Sequence, residues 1–252
     1  MRVVICAIAK NEHLYINQWV KYYLNLGIDN IYLYDNDNFD SPYIGNFIDK
    51  QYLDKLTIYN YRGIKRKYLQ HEVYNNFYHT HNFEWVFFVD IDEYLVGTDN
   101  IKNLIKNDYD QIRIKWKLFG DDDQVKRDID KPLLSSFFEE KHDGRLEHQG
   151  KSIIRGGLNI EIHSCHYVKY LNSCFPSGRK CQSEKLEITD YENETIFINH
   201  YMTKTLSEFI TQKLGRGDAV WDNRAIDLSY YWRINKKTPE KLEYLKNLGL
   251  DI

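Results

Sequence analysis

The chain has 252 residues, of which 42% are hydrophobic, 15% aromatic and 28% charged. That composition excludes a disordered chain and a membrane-embedded one, and it suffices for one substantial core. With 34 Lys and Arg against 37 Asp and Glu, the net charge of −3 excludes the broad basic surface that duplex nucleic acid requires, so no nucleic-acid partner is expected.

Residues 2–9 form an apolar run of strand length. Asn11 is placed to cap a helix in which Ile16, Trp19, Val20, Tyr23 and Leu24 recur at helical spacing, and Gly27 to end it. A second strand at 31–34 runs into the turn-forming Asp35-Asn36-Asp37-Asn38, and a third at 56–59 runs into Arg62-Gly63. The helical spacing of Leu69, Val73, Phe77 and Thr80 precedes Trp85-Val86-Phe87-Phe88-Val89, the most apolar strand in the chain. It is the expected centre of the sheet, because strands covered on both faces carry near-continuous apolar runs. Beyond it the sequence predicts a short helix capped at Thr98 or Asn100 and strands at 111–118, 151–155 and 160–168, with the acidic loop Gly120-Asp121-Asp122-Asp123 after the first of these. Thr205 and Glu208 are spaced as a capping box, and Thr238-Pro239 opens a last helix that Gly249 closes. Strands alternating with helices predict an α/β fold with a mixed, mostly parallel sheet flanked by helices.

No run reaches the about 20 apolar residues of a membrane span. Charge returns at Lys10 and Glu12 too soon for a secretory leader, so a cytoplasmic protein is expected. The cysteines Cys6, Cys165, Cys174 and Cys181 are too few for a disulfide scaffold and read as reduced thiols. His163, His166, Cys174 and Cys181 have poor spacing for a zinc site.

The strongest chemical signal is Val89-Asp90-Ile91-Asp92-Glu93, directly after the apolar strand. Alternate residues of an extended segment share a face, so Asp90 and Asp92 can meet one hard cation, Mg²⁺ or Mn²⁺. Lys10-Asn11-Glu12 and Asp35-Asn36 follow two other strands and point to the same edge, where open α/β sheets bind ligands. Residues 35–38 also suit an ordinary turn.

The order Ala9-Lys10-Asn11-Glu12, Tyr34-Asp35-Asn36, Gln70 with Tyr74-Asn75, then Phe88-Val89-Asp90-Ile91-Asp92-Glu93-Tyr94 resembles the family-2-like glycosyltransferases of GT-A fold. It is nearest the bacterial branch whose acidic motif reads D-x-D-E-F/Y. Trp116 with Phe119-Gly120, Lys151-Ser152-Ile153-Ile154, and His200-Tyr201 followed by Lys204, Phe209, Lys213 and Arg216-Gly217 resemble that branch's later blocks. The resemblance spans residues 1–217, leaving 218–252 as a helical C-terminal extension packed on the same domain.

What the resemblance implies is a metal-dependent enzyme of cell-surface polysaccharide synthesis. It would move a sugar from a nucleoside diphosphate, UDP favoured, to a hydroxyl of a glycan or glycolipid acceptor. Asp35 and Asn36, with Lys10, Asn11, Glu12 and Gln70, would line the donor pocket. Asp90 would contact the ribose or a metal-bound water, and Asp92 would ligate Mn²⁺ or Mg²⁺, the Lewis acid for the departing diphosphate. His200 is the candidate third ligand, in competition with His163 and His166. Lys204, Lys213 and Arg216 would neutralise the diphosphate, and Glu93 would support the strand end. Asp121, Asp122 and Asp123 lie in the loop that the resemblance assigns to the acceptor and are the candidate bases, with the stereochemical course open. Trp116, Trp221 and Trp232 are candidates to stack on a sugar. Arg62, Lys65, Arg66 and Lys67 offer a peripheral contact to an anionic membrane face. Two alternatives stand beside this: a nucleotidyl- or phosphotransferase, although no G-x-x-x-x-G-K-[ST] loop occurs, and a non-catalytic nucleotide- or sugar-binding protein.

Overall fold

The computed structural model describes residues 1–144, 146, 149–216 and 225–250. The apolar run at the N-terminus is β1 (Val3–Ala9), and its alternation explains why the run is unbroken. Val3, Ile5, Ala7 and Ala9 enter one hydrophobic core, whereas Val4 and Cys6 enter another on the opposite face. β1 pairs in parallel with β2 (Asn30–Asp35) on one side and β4 (Trp85–Phe88) on the other, and β2 in turn with β3 (Leu56–Asn60). The connecting helices cover the two faces separately. α1 (Ile16–Asn25) buries Ile16, Trp19, Val20 and Tyr23 in the first core, and α2 (Leu69–Thr80) buries Leu69, Val73, Tyr74 and Phe77 in the second.

The rest of the sheet is mixed. β8 (Gly150–Arg155) runs antiparallel between β4 and β6 (Gln111–Phe119), and β10 (Phe197–His200) lies parallel to β6. β5 (Glu93–Val96) closes the edge antiparallel to β10, while the two-residue strands β7 (Glu140–Lys141) and β9 (Ser173–Cys174) pair with β6 off the main path. The order β3-β2-β1-β4-β8-β6-β10-β5 puts β4 in the middle, as its composition predicts. α3 (Leu206–Gln212), α4 (Leu228–Tyr231) and α5 (Pro239–Asn247) form a satellite cluster through Leu206, Phe209, Tyr231 and Leu245.

Two local expectations fail, and two strands go unforeseen, for identifiable reasons. Asn11 caps nothing: it adopts a left-handed φ of 57°, and α1 starts after Tyr15 with no side-chain cap. No strand forms over 160–168, because the N–H groups of Leu158 and Ile162 donate to the side chains of Tyr78 and Asn75, which ties the segment down onto α2. β5 and β10, four residues each, are too short for periodicity to reveal.

Gly150 is where β8 and β6 come closest. A Cβ there would lie 1.9 Å from the Ile114 carbonyl oxygen, so Gly150→Ala must push two backbones apart. The expected loss is about 1–3 kcal/mol in urea denaturation.

Candidate functional site

The acidic segment beyond β4 is held by its backbone. Trp19 Nε1 donates to the Asp90 carbonyl at 3.0 Å and Tyr23 Oη to the Glu93 carbonyl at 3.0 Å, so α1 fixes both ends. The Asp90 N–H donates to Glu93 Oε2 at 3.0 Å, and the Tyr201 N–H to the Asp92 carbonyl at 2.9 Å. These contacts leave the Asp90 and Asp92 carboxylates to the interior of the site.

Each carboxylate meets ammonium groups. Asp90 accepts from Lys151 Nζ at 2.8 Å and from Gln70 Nε2 at 2.8 Å. Lys151 is fully buried and also lies 3.8 Å from Glu93. Asp92 accepts from Lys213 Nζ at 2.6 Å, with Lys204 Nζ at 3.6 Å and His200 Nε2 at 3.7 Å. Burial works to raise both aspartate pKa values, but Lys151 at Asp90, and Lys213 and Lys204 at Asp92, outweigh it and hold both carboxylates ionised. Glu93 goes the other way: its burial outweighs Lys151 and pushes the carboxyl well above its ordinary value.

The Lys10-Asn11-Glu12 loop joins the same group from β1. Glu12 lies 3.7 Å from Lys204 and 3.5 Å from Arg216, whose guanidinium donates to the Lys10 carbonyl at 2.7 Å. Asn11 Nδ2 donates to the Gln212 carbonyl at 3.2 Å. The sequence-predicted residues Lys10, Asn11, Glu12, Gln70, Asp90, Asp92, His200, Lys204, Lys213 and Arg216 are thus brought together. Burial lowers the Lys10 pKa, and the nearby Arg216 and Lys65 lower it further, a convergence of cations only partly offset by Asp37. Several buried atoms here lack hydrogen-bond partners among the described residues: Lys204 Nζ, Glu12 Oε2, His200 Nδ1 and Trp116 Nε1.

Other candidates are engaged elsewhere in the fold. Asp35 is fully buried and accepts from the N–H groups of Asp37 and Ile44, and Asn36 Nδ2 donates to the carbonyls of Tyr61 and Ile64. Asp37, which the sequence reading passed over, holds the Asn11 N–H at 2.6 Å and His13 at 2.9 Å, and so fixes the loop after β1. Its place two residues from Asp35 was the available signal. Of the three candidate bases, Asp121 and Asp123 serve the C-terminal segment and Asp122 the loop before β7. Asp121 takes Lys241 Nζ at 2.6 Å and the Tyr231 hydroxyl, Asp123 takes Lys241 at 3.1 Å, and Asp122 accepts from the N–H groups of Phe138 and Glu139. That engagement leaves none of them a free carboxylate.

His163 is 80% exposed and pairs with Glu161, away from the cluster. Trp232 packs on Tyr231, while Gly217 and Trp221 lie outside the described residues. Arg62 turns inward to the carbonyls of Asn38 and Ser41, whereas Lys65, Arg66 and Lys67 are exposed. Among the described residues no helix is long and apolar enough to cross a membrane.

The buried imidazoles set the acid stability. Burial pushes His166 and His200 down to about 4, while in the unfolded chain each titrates near about 6.5. As pH falls from about 6.5 to 4 the unfolded chain takes up protons that the native one refuses, so stability drops by on the order of 2–3 kcal/mol per imidazole. Glu93, whose pKa burial raises in the native chain, contributes with opposite sign, its stabilisation being lost as pH rises above the ordinary carboxylate range. Urea midpoints between pH 7 and 4.5 are expected to fall steeply, and His166→Gln to flatten that slope.

Comparison with known proteins gives backbone likeness only. No family model matches the chain, and no curated protein matches it. Among solved structures it is similar to S. aureus TarS 1–349, at 16% identity and TM-score 0.37 over 62% of this chain and 47% of that one. The same protein in complex with UDP-GlcNAc gives 17% identity and TM-score 0.35 over 47% and 35%. HddC from Yersinia pseudotuberculosis gives 13% and 0.34 over 48% and 59%. The match spans less than two thirds of each of these chains, and 22% of the longer TarS structure.

Proposed function

We propose that the protein is a glycosyltransferase of the GT-A kind. It takes its sugar from a nucleoside diphosphate, UDP foremost, and delivers it to a hydroxyl of a cell-surface glycan or glycolipid precursor. The observation that carries this reading is the Lys204 ammonium, buried between Glu12 and Asp92 without a hydrogen bond. A buried ammonium in that state lacks an acceptor. A diphosphate supplies several strong ones, beyond the carboxyl ends of strands where open α/β sheets bind ligands, with Lys213, Arg216 and Lys10 close by. Lys65, Arg66 and Lys67 would face an anionic membrane if the acceptor is lipid-linked.

Mn²⁺ or Mg²⁺ fits this site as a partner of the diphosphate. Asp92 Oδ1 and His200 Nε2 lie 3.7 Å apart, and burial keeps the imidazole neutral, so both are competent donors. Among the described residues no group of three His, Cys, Asp or Glu side chains gathers to hold an ion alone, and Asp90 commits its oxygens to Lys151 and Gln70. Magnesium sites of one or two protein ligands are completed by substrate phosphates and water. When bound, the ion would stabilise charge on the leaving diphosphate.

Calorimetry with UDP, GDP, CDP and ADP, with and without Mn²⁺, on the native protein and Asp92→Asn tests the reading. One diphosphate is expected to bind with metal and to be lost in the variant. Binding of none, or binding indifferent to both Mn²⁺ and Asp92, overturns it.

A further inference from the structure

We infer that His166 takes the proton of the acceptor hydroxyl and that Trp116 and Lys151 form the acceptor subsite beside it, an inference that rests on the transferase reading above. His166 is held on both sides of its backbone: its N–H donates to Ser164 Oγ at 3.1 Å, and its carbonyl accepts from Ser152 Oγ at 2.8 Å. Its ring Nδ1 lies 3.0 Å from the Gly150 carbonyl. A carbonyl only accepts, so Nδ1 carries the hydrogen, and in the neutral ring Nε2 is a bare lone pair. Among the described residues Nε2 has no hydrogen-bond partner.

The Trp116 indole packs against both this ring and His200 of the acidic site. It meets His166 edge-on at 5.0 Å and His200 at 4.5 Å, with Lys151 Nζ 5.8 Å from its ring and 2.8 Å from Asp90. Trp116 Nε1 is buried and, among the described residues, donates to nothing. The group therefore lacks one acceptor for the indole and one donor for the imidazole. The hydroxyl groups of a sugar can supply each of these. A cavity of about 180 Å³ shares His166 and Lys151 with this group and adds Arg113, Tyr167 and Tyr191, which gives the remainder of a sugar acceptor aromatic and polar walls.

The other bare acceptors nearby, His200 Nδ1 and Glu12 Oε2, belong to residues of the donor site, and the remaining candidate carboxylates are engaged. Asp121, Asp122 and Asp123 are spent on Lys241, Tyr231 and two backbone N–H groups, and Asp90 on Lys151 and Gln70. In the step itself the acceptor oxygen bonds to the anomeric carbon of the donor sugar. The bond from that carbon to the diphosphate oxygen breaks, its electron pair leaves with the nucleoside diphosphate, and the hydroxyl proton passes to His166 Nε2. A single displacement of this kind inverts the anomeric configuration.

The test follows UDP release from UDP-glucose and UDP-N-acetylglucosamine, with water and with a panel of methyl glycosides as acceptors. His166→Gln is expected to lower kcat by about 10²–10⁴-fold while leaving UDP affinity as it was, and His166→Gly to regain rate with added imidazole, which a structural role would not produce. Near-native turnover in either variant overturns the assignment. If the native chain binds a nucleoside diphosphate but turns over none of these donors, nitrogen NMR of the His166 ring decides. A hydrogen on Nδ1 and a bare Nε2 support the inference, and a hydrogen on Nε2 overturns it. A native chain that binds no nucleoside diphosphate removes the transferase reading, and the base role falls with it.

Discussion

Lys151→Met is expected to destabilise the protein by about 3–5 kcal/mol, the cost of breaking a buried ion pair from one side. Lys151 is fully buried on β8, 2.8 Å from Asp90 and 3.8 Å from Glu93. Burial alone would lower its pKa, yet the two carboxyl groups raise it well above the ordinary lysine value, so it is charged at any physiological pH. Removing it leaves Asp90 with a neutral amide, Gln70, as its remaining side-chain donor at hydrogen-bond length besides the distant Tyr74 hydroxyl. Methionine fills most of the volume, so the loss reports charge rather than a cavity. The double variant Lys151→Met with Asp90→Asn is expected to recover much of it, because an amide needs no counter-charge. Urea denaturation of the four proteins of this cycle at pH 7 measures the coupling. Additive losses would mean that Lys151 acts through packing against Trp116 and not through Asp90.

The sequence exposed what is local and hid what is joined from afar. β1 and β4 were legible because strands buried on both faces cannot alternate, and the capping box of α3 because Thr205 and Glu208 satisfy each other within one turn. The Glu208 carboxylate also meets Arg127 at 2.9 Å and the Tyr15 hydroxyl at 2.9 Å, contacts that no local pattern announces. The same division runs through the site. The Asp90-Ile91-Asp92-Glu93 segment declares itself by following an apolar strand. Its counter-charges arrive from 61 residues away in Lys151 and 121 residues away in Lys213. The sequence suggested Lys204 and Lys213 for phosphate without showing that they also neutralise Asp92. Nor does three aspartates in a row reveal a fully buried Lys241 in the last helix, which ties Asp121 and Asp123 to the C-terminal segment.

Lys204→Met is expected to separate binding from folding. The Lys204 ammonium is desolvated yet makes no hydrogen bond, so it lacks the direct bonds that Lys213 makes to Asp92 and to the Met202 carbonyl. Without it Asp92 still has Lys213 and Glu12 still has Arg216. Its φ of 56° burdens lysine and methionine alike, and the contact of Nζ with the Tyr15 ring at 4.4 Å is replaced by a sulfur–aromatic one. Stability is therefore expected to stay within about 1 kcal/mol of native, since no hydrogen bond is broken and neither carboxylate is left without a cation, the condition that makes removal of one partner costly. Diphosphate affinity is expected to fall on the order of 10–100-fold, the worth of one charge-assisted hydrogen bond. Calorimetry with UDP and Mn²⁺ beside urea denaturation reads both quantities on one preparation. A variant that unfolds as readily as Lys151→Met, or binds UDP like the native protein, makes Lys204 a counter-charge of the fold and removes the principal support for a diphosphate at this edge of the sheet.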